Sequence, residues 1–291
     1  MRRRRLLSSL AACAALAMAA PAASAACPPD EAVERVAEAL LANRPSPAFT
    51  GMTSLEDGFC AQDKLVAILQ RHWGRPIGYK LGLTSAPVQQ RFGVPHPVRG
   101  TILESFTSLR SGEEVPARFG AVPVVESDFL VRVRDAGING AGRDHLEILR
   151  HLDAVIPFIE LADLVLSGGF DGPNLLAINV GARLGVVGEP IPVQATQEFA
   201  DRLAKMTVAM VDDRGQERAR LPGTAVLGHP LNAVAFLVED LAKQGKRLEA
   251  GQILSIAGFS PTLPLEAGRT YTVRYEGLAE SGPVSVSVKV R

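Results

Sequence analysis

From Pro76 to the C-terminus the sequence breaks into short β-like runs, and that texture constrains the fold more than any other feature. Such runs fall at 77–83, 100–104, 122–133, 155–161, 175–187, 206–211, 253–257, 271–275 and 284–290, with turn-forming residues between them. Helical spacing is confined to a few stretches. Asp30 is placed to cap a helix in which Val33, Val36, Ala37, Leu40 and Leu41 recur on one side before Pro45 and Pro47. A second helix is predicted over 62–73, with Leu65, Leu69 and Trp73 on one stripe and Gly74 as its stop. Further helical pieces are predicted over 144–153 and about 231–243, and Asp213-Arg214-Gly215 reads as a hairpin turn. The expected class is α+β: a helical N-terminal segment over 26–75 leading into a mainly β, mixed-sheet domain over 76–291.

Within this pattern the run PVVESDFLVRV, residues 123–133, poses a chemical question. Side chains alternate faces along a strand, so Glu126 and Asp128 project from the same side. Two carboxylates held that way repel unless water, a proton or a cation intervenes. Val124, Leu130, Arg132 and Arg134 share their face, while Val125, Ser127, Phe129, Val131 and Val133 line the other. Taken alone, that is also the pattern of an amphipathic strand with a solvated, self-neutralising face.

A third acid, Glu160, sits inside VIPFIELADLV, where a solvated position is hard to find. If buried it needs a partner cation or a raised pKa. The plainer alternative is an edge-strand glutamate near Arg150 or Arg183. Glu126, Asp128 and Glu160 together would supply three hard oxygen ligands, suited to Mg²⁺, Mn²⁺ or Ca²⁺ rather than zinc. Lys80, in PIGYKLGLTS, lies between Gly78 and Gly82, which leave space for a ligand near the backbone. It either snorkels outward or stands beside an anionic substrate.

Lys plus Arg and Asp plus Glu both number 31, so the formal charge is zero. No electrostatic footprint points to nucleic acid or an anionic membrane, and a small molecule is the expected partner. The motifs G-x-S-x-G, H-E-x-x-H, G-x-x-x-x-G-K-[ST] and G-x-G-x-x-G are all absent. His72, His96, His145, His151 and His229 form no pair at a metal-ligand spacing.

Residues 1–25 read as a cleaved export signal. Arg2 to Arg5 form the basic region, an apolar stretch follows, and Ala23-Ser24-Ala25 is the small-residue cleavage site. Arg3-Arg4 before Leu6-Leu7 also fits a twin-arginine signal. A lipoprotein signal at Cys27 fits less well, because Ser24 stands where an aliphatic residue is expected. The expected location is periplasmic or secreted, with no membrane association once the signal is removed. Cys13 would leave with it, and Cys27 and Cys60 remain as one even pair, expected to form a disulfide.

Five segments in order then resemble one family. GYKLGLTSAPVQQRFGV is similar to its G-[YW]-K-[IL]-G-L-T opening, VVESDFLV to its E-x-E metal strand and VIPFIELAD to the strand of the third ligand. LLAINVGARLGVVG is similar to its D-N-A-S segment, and LGHPLNAVAFLVEDLAKQGKRLEAGQILSIAG to its G-H-P-L-N helix and following strand. The chain thus resembles the 2-keto-4-pentenoate hydratase branch of the fumarylacetoacetate hydrolase superfamily. The resemblance implies that superfamily's mixed-β fold, assembly as a homo-oligomer, and a divalent cation, Mg²⁺ or Mn²⁺, on Glu126, Asp128 and Glu160. It implies Lys80 as the active-site lysine and Asn179 as a residue that contacts substrate; His229, in the G-H-P-L-N stretch, either opens and caps a helix or touches substrate. The implied substrate is a small 2-hydroxy-2,4-dienoate or its 2-oxo tautomer, hydrated to a 4-hydroxy-2-oxo acid. Sister decarboxylases act on 2-oxo-3-enedioates, and Arg99 is the candidate cation for a second carboxylate.

The sequence departs from the pattern at several points. Asp128 stands where glutamate is usual, Ile178 replaces the acid before Asn179, HPVRG at 96–100 replaces Q-P-D-F-G, and SIAGFSPTLPL lacks T-G-x-L-x-x-P. An exported binding protein that has lost turnover is therefore a further alternative.

Overall fold

The computed structural model describes residues 27–168, 171–256 and 258–291; the expected signal segment lies outside them. The chain begins with helix α1, Asp30–Leu41, and helix α2, Leu55–Trp73. Asp30 does not cap α1. The N-cap is Pro29, and Asp30 sits in the first turn, 2.6 Å from Lys64 Nζ. Helix α2 starts seven residues earlier than expected because Ser54 and Asp57 form a reciprocal capping box. Gly74, at φ 88°, ends it as expected.

Strand β1, Pro76–Gly82, is followed by helix α3, Ala86–Phe92, and strand β2, Val98–Leu103. The long strands β3, Pro123–Val133, and β4, Leu152–Asp163, are joined through helix α4, His145–Arg150. The expected strand over 175–187 is instead helix α5, Gly172–Ala177, a 3-10 turn at Asn179–Gly181, and strand β5, Leu184–Val187. Asp171 caps α5 by accepting from the Asn174 N–H, and Pro173 suits its first turn. Asn179 and Val180 then take φ of 56° and 55°, which breaks any extended run.

Helix α6, Gln197–Lys205, was not foreseen; Thr196 caps it. After it come the hairpin strands β6, Thr207–Asp212, and β7, Glu217–Pro222, then helix α7, Pro230–Lys243. Strands β8, Ile253–Ser255, β9, Thr270–Ala279, and β10, Gly282–Val290, complete the fold.

Two sheets result. The larger runs β2-β1-β8-β3-β4-β5 and continues to a short edge strand at Leu109–Arg110. Within it β1 and β8 are parallel, whereas β3 and β4 pair antiparallel along nearly their whole length. The smaller runs β7-β6-β9-β10, edged by Glu114–Val115. Odd-numbered residues of β3, such as Val125, Phe129 and Val131, share one core cluster with Val208, Met210, Val273 and Val286 of the smaller sheet. The even face, read in sequence as solvated, is largely enclosed: Asp128 and Leu130 are fully buried. Strand β3 lies inside the sheet, not at its margin. The stretch Gly223–Lys243 is long and apolar enough to cross a membrane, but Leu231, Val234, Leu237 and Leu241 are fully buried in this core.

The N-terminal helices bury Val33, Val36, Leu65 and Leu69 in a second cluster that also receives Leu103 and Ile178. A disulfide between Cys27 and Cys60, Cα–Cα 5.5 Å, ties the start of this layer to α2.

Candidate functional site

The β3–β4 register places Glu126 directly opposite Glu160. Opposed residues of an antiparallel pair project from the same face with Cβ atoms close together. Both side chains line a cavity of about 660 Å³, and Lys80 of β1 lines it too. Lys80 is almost fully buried. Its Nζ donates to Glu160 Oε1 and, at 2.9 Å, to the Val180 carbonyl. Glu160 is therefore neither solvated nor an edge residue beside Arg150 or Arg183. Burial pushes its carboxyl up to about 7, against the pull of Lys80 and with the help of the Glu126 charge. Glu126 is half-buried and accepts from Thr262 Oγ1 at 2.7 Å.

Asp128 has a different setting. It is fully buried and does not line the cavity. Its Oδ1 accepts from the Phe129 N–H at 2.5 Å and its Oδ2 from the Ser255 hydroxyl. Burial first, and the charge of Glu160 second, hold its carboxyl well above the usual range. Among the described residues no three Asp, Glu, His or Cys side chains gather closely enough to chelate one ion. The donor chemistry of the facing pair still suits a divalent cation. Two hard-oxygen groups face each other at the cavity wall, and the charge of Glu126 resists full ionisation of Glu160.

The glycines flanking Lys80 let the protein pack closely against this strand, although Gly82 also lines the cavity. A Cβ at Gly78 would sit 1.8 Å from the Ile253 carbonyl of β8, and one at Gly82 would sit 2.5 Å from Val180.

Three residues offered as candidate substrate contacts are engaged in the scaffold, His229 in the helix cap that was its alternative role. Arg99 pairs with Leu81, one position off Lys80, and so projects from the opposite face. There its Nε donates to Asp240 at 2.9 Å and its Nη2 to Gln244 at 2.5 Å, fastening β2 to α7. His229 is the N-cap of α7: its Nδ1 accepts from the Leu231 N–H at 3.0 Å and its Nε2 meets the Ala200 carbonyl at 3.0 Å. Asn179 exchanges two hydrogen bonds with the Thr101 backbone, at 2.7 and 2.8 Å. It thereby braces the turn whose next residue, Val180, holds Lys80. Ile178 lies in the helical cluster, not in the cavity, so an acid there would meet an apolar layer.

Sequence reasoning missed much of the cavity wall. Helix α3 contributes Val88, Arg91 and Phe92, and the loop after β8 contributes Ser260 and Thr262. The signal for α3 lay in Val-Gln-Gln: Gln89 Nε2 donates to the Leu83 carbonyl at 2.8 Å and holds that helix beside the lysine strand.

No protein-family model matches the chain. Among curated proteins it is 30% identical over 204 residues to the 4-oxalocrotonate decarboxylase of Pseudomonas sp. (strain CF600), covering 69% of this chain and 74% of that protein. It is 27% identical over 207 residues to the 2-keto-4-pentenoate hydratase of Paraburkholderia xenovorans (strain LB400), covering 70% and 74%. Among solved structures, the 4-oxalocrotonate decarboxylase from Pseudomonas putida G7, complexed with magnesium and adipate, matches at a TM-score of 0.79 and 26% identity. That match covers 90% of this chain and 97% of the other. Fold and acidic cavity thus define a protein of the fumarylacetoacetate hydrolase superfamily. Within it, the chain belongs to the branch that contains the 2-keto-4-pentenoate hydratases and 4-oxalocrotonate decarboxylases.

Proposed function

We propose that the protein is a divalent-metal-dependent hydratase that converts 2-hydroxy-2,4-dienoates, or their 2-oxo tautomers, to 4-hydroxy-2-oxo acids. The observation that carries this reading is the facing pair of half-buried Glu126 and buried Glu160, with Lys80, on one wall of the cavity. Glu126 and Glu160 would hold the cation. Mg²⁺ or Mn²⁺ bound there supplies Lewis-acid stabilisation of negative charge on the substrate's oxygens.

The chain's own groups account for the rest. Lys80, fixed by the Val180 carbonyl, presents a positive charge for the substrate carboxylate and a proton at Nζ for transfer to the carbon chain. Glu160, pushed up to about 7 in the metal-free fold, would give up its proton on taking the cation. Val124, Ala162, Leu164, Leu175 and Val180 exclude water from the substrate's apolar part.

The test is to incubate the mature protein with Mg²⁺ and 2-hydroxypenta-2,4-dienoate. Dienol absorbance should fall as 4-hydroxy-2-oxopentanoate forms. Binding of metal and a substrate analogue without turnover, either of this dienoate or of 2-oxo-3-hexenedioate, would overturn the enzyme reading and leave a binding protein.

One observation favours a decarboxylase as the second reading. Arg91 lines the cavity and makes no ion pair among the described residues; its guanidinium lies 5.7 Å from the Phe92 ring centroid. It fits the second carboxylate of a 2-oxo-3-enedioate, the role expected of Arg99. Release of CO₂ from 2-oxo-3-hexenedioate, faster than hydration of the dienoate, selects this reading.

Export completes the proposal: residues 1–25 are removed and the mature protein works in the periplasm or outside the cell. The Cys27–Cys60 bond supports this, because such bridges persist in oxidising compartments. Peptide mapping of periplasmic protein should find the bridge, and two free thiols would count against export. Assembly as a homo-oligomer is read directly by light scattering.

A further inference from the structure

The three-carboxylate metal site that the resemblance implies does not match where this chain puts its acids. Glu126 and Glu160 line the cavity, but Asp128 is set back from it. Three observations hold it there. Its side chain is one methylene shorter than a glutamate on the same strand. Both carboxylate oxygens already accept hydrogen bonds, from the Phe129 N–H and the Ser255 hydroxyl. Ser255 is itself fully buried on β8, the strand between β1 and β3, and its register partners are Lys80 and Leu130. A carboxylate moved to the cavity would leave a buried hydroxyl and a buried N–H without their acceptor. Each such loss leaves a desolvated polar group unpaired, which opposes the move.

The backbone at the same position is pinned as well. The Tyr275 hydroxyl, from the smaller sheet, donates to the Asp128 carbonyl and lies 2.9 Å from the Phe158 carbonyl. It accepts from the Phe158 N–H at 3.0 Å. Asp128 and Phe158 are register partners, so one tyrosine oxygen joins both long strands beneath the acidic pair.

We propose that this chain holds its divalent cation with two carboxylates, Glu126 and Glu160, and that Asp128 is a buried anchor joining β3 to β8, not a ligand. The inference rests on the metal-site reading above and refines it. With two protein ligands, an octahedral cation keeps about four positions for water and substrate. A chelating 2-oxo acid then supplies ligands that the protein lacks, so cation and substrate should strengthen each other's binding.

The experiment measures Mn²⁺ binding directly, by electron paramagnetic resonance titration of free Mn²⁺, with and without oxalate as a chelating probe. Asp128→Asn should keep the wild-type Kd within about threefold, whereas Glu126→Gln and Glu160→Gln should each weaken it at least about tenfold. Oxalate should tighten Mn²⁺ binding to the wild type. Water-proton relaxation should count about four waters on the bound ion of the wild type, a readout that needs no variant to fold. A count of three or fewer, or a tenfold loss in an Asp128→Asn protein of native circular dichroism, overturns the two-carboxylate site and leaves the metal-site reading intact. A wild type that binds no Mn²⁺ at any concentration removes both. Ser255→Ala is the second variant: a lower Tm with unchanged Mn²⁺ affinity supports the anchor, and weakened affinity argues for Asp128 as a ligand.

Discussion

The two ends of strand β3 carry charge on the same face and resolve it in opposite ways. At the open end Arg132 donates to Asp153 at 2.8 Å, with the two side chains 40% and 36% exposed. Water and the opposite charge satisfy both groups, and such pairs contribute little to stability. Six residues back, Glu126 faces another acid, and Lys80 is the one cation that pairs with either of them among the described residues. That arrangement costs stability: burial and like charge both oppose ionisation. Alternation along a strand is identical at both ends. Depth in the fold makes one a surface ion pair and the other a candidate site.

The sharpest way to break this contrast is to exchange the lysine. Lys80→Met should lower kcat for dienoate hydration by about 10²–10⁴-fold if Nζ moves a proton. Arg132→Met should leave kcat unchanged. Equal effects at both ends, in steady-state assays at saturating Mg²⁺, would remove the distinction.

A second expectation concerns pH. Glu160 has an ordinary value of 4.5 and is pushed up to about 7 in the fold. Between those values the native state retains a proton that the unfolded state has released. Stability from this group is therefore complete below 4.5 and falls as pH rises toward about 7. A cation competes with that same proton. Mn²⁺ affinity should accordingly rise by about tenfold per unit up to pH 7 and then level off. Glu160→Gln should flatten the pH dependence of the metal-free Tm; an unchanged slope would assign the titration to another group.

Between the extremes lies the disulfide, remote from both ends of β3. Replacing Cys27 and Cys60 by Ala should cost about 2–4 kcal/mol in urea melts, with Mn²⁺ affinity retained. The smallest effect belongs to the open end. Arg132→Ala should change unfolding free energy by about 0–1 kcal/mol, and a clearly larger loss would mean that this pair too is shielded from water.

Much of this architecture was legible beforehand. The runs that became β1, β3, β4, β6, β9 and β10 were marked by branched residues and alternation, and α7 by its spacing. Lys80, Glu126 and Glu160 stood out because each charge sits in an apolar run. Arg99 and Asn179 lie off the cavity, and His229 takes the capping alternative, for one shared reason. A polar residue in a familiar motif can serve the scaffold as readily as the ligand. Arg99 was one register position from the cavity face, His229 closed a helix end, and Asn179 braced a turn. The helix at Gly172–Ala177 was missed because its residues are as apolar as a buried strand, and only Asp171, Pro173 and two left-handed residues mark the change.

What the sequence by itself determined is local: which runs extend, where helices can be capped, which acids lie two apart on one strand. Those properties depend on neighbours within a few residues, through side-chain alternation and backbone sterics. The tertiary structure alone decided that Glu126 meets Glu160, that Lys80 lies between that pair and the Val180 carbonyl, and that Ser255 and Tyr275 keep Asp128 below the cavity. Strand register and burial depth join residues tens to more than a hundred positions apart, and no periodicity within a single segment encodes them.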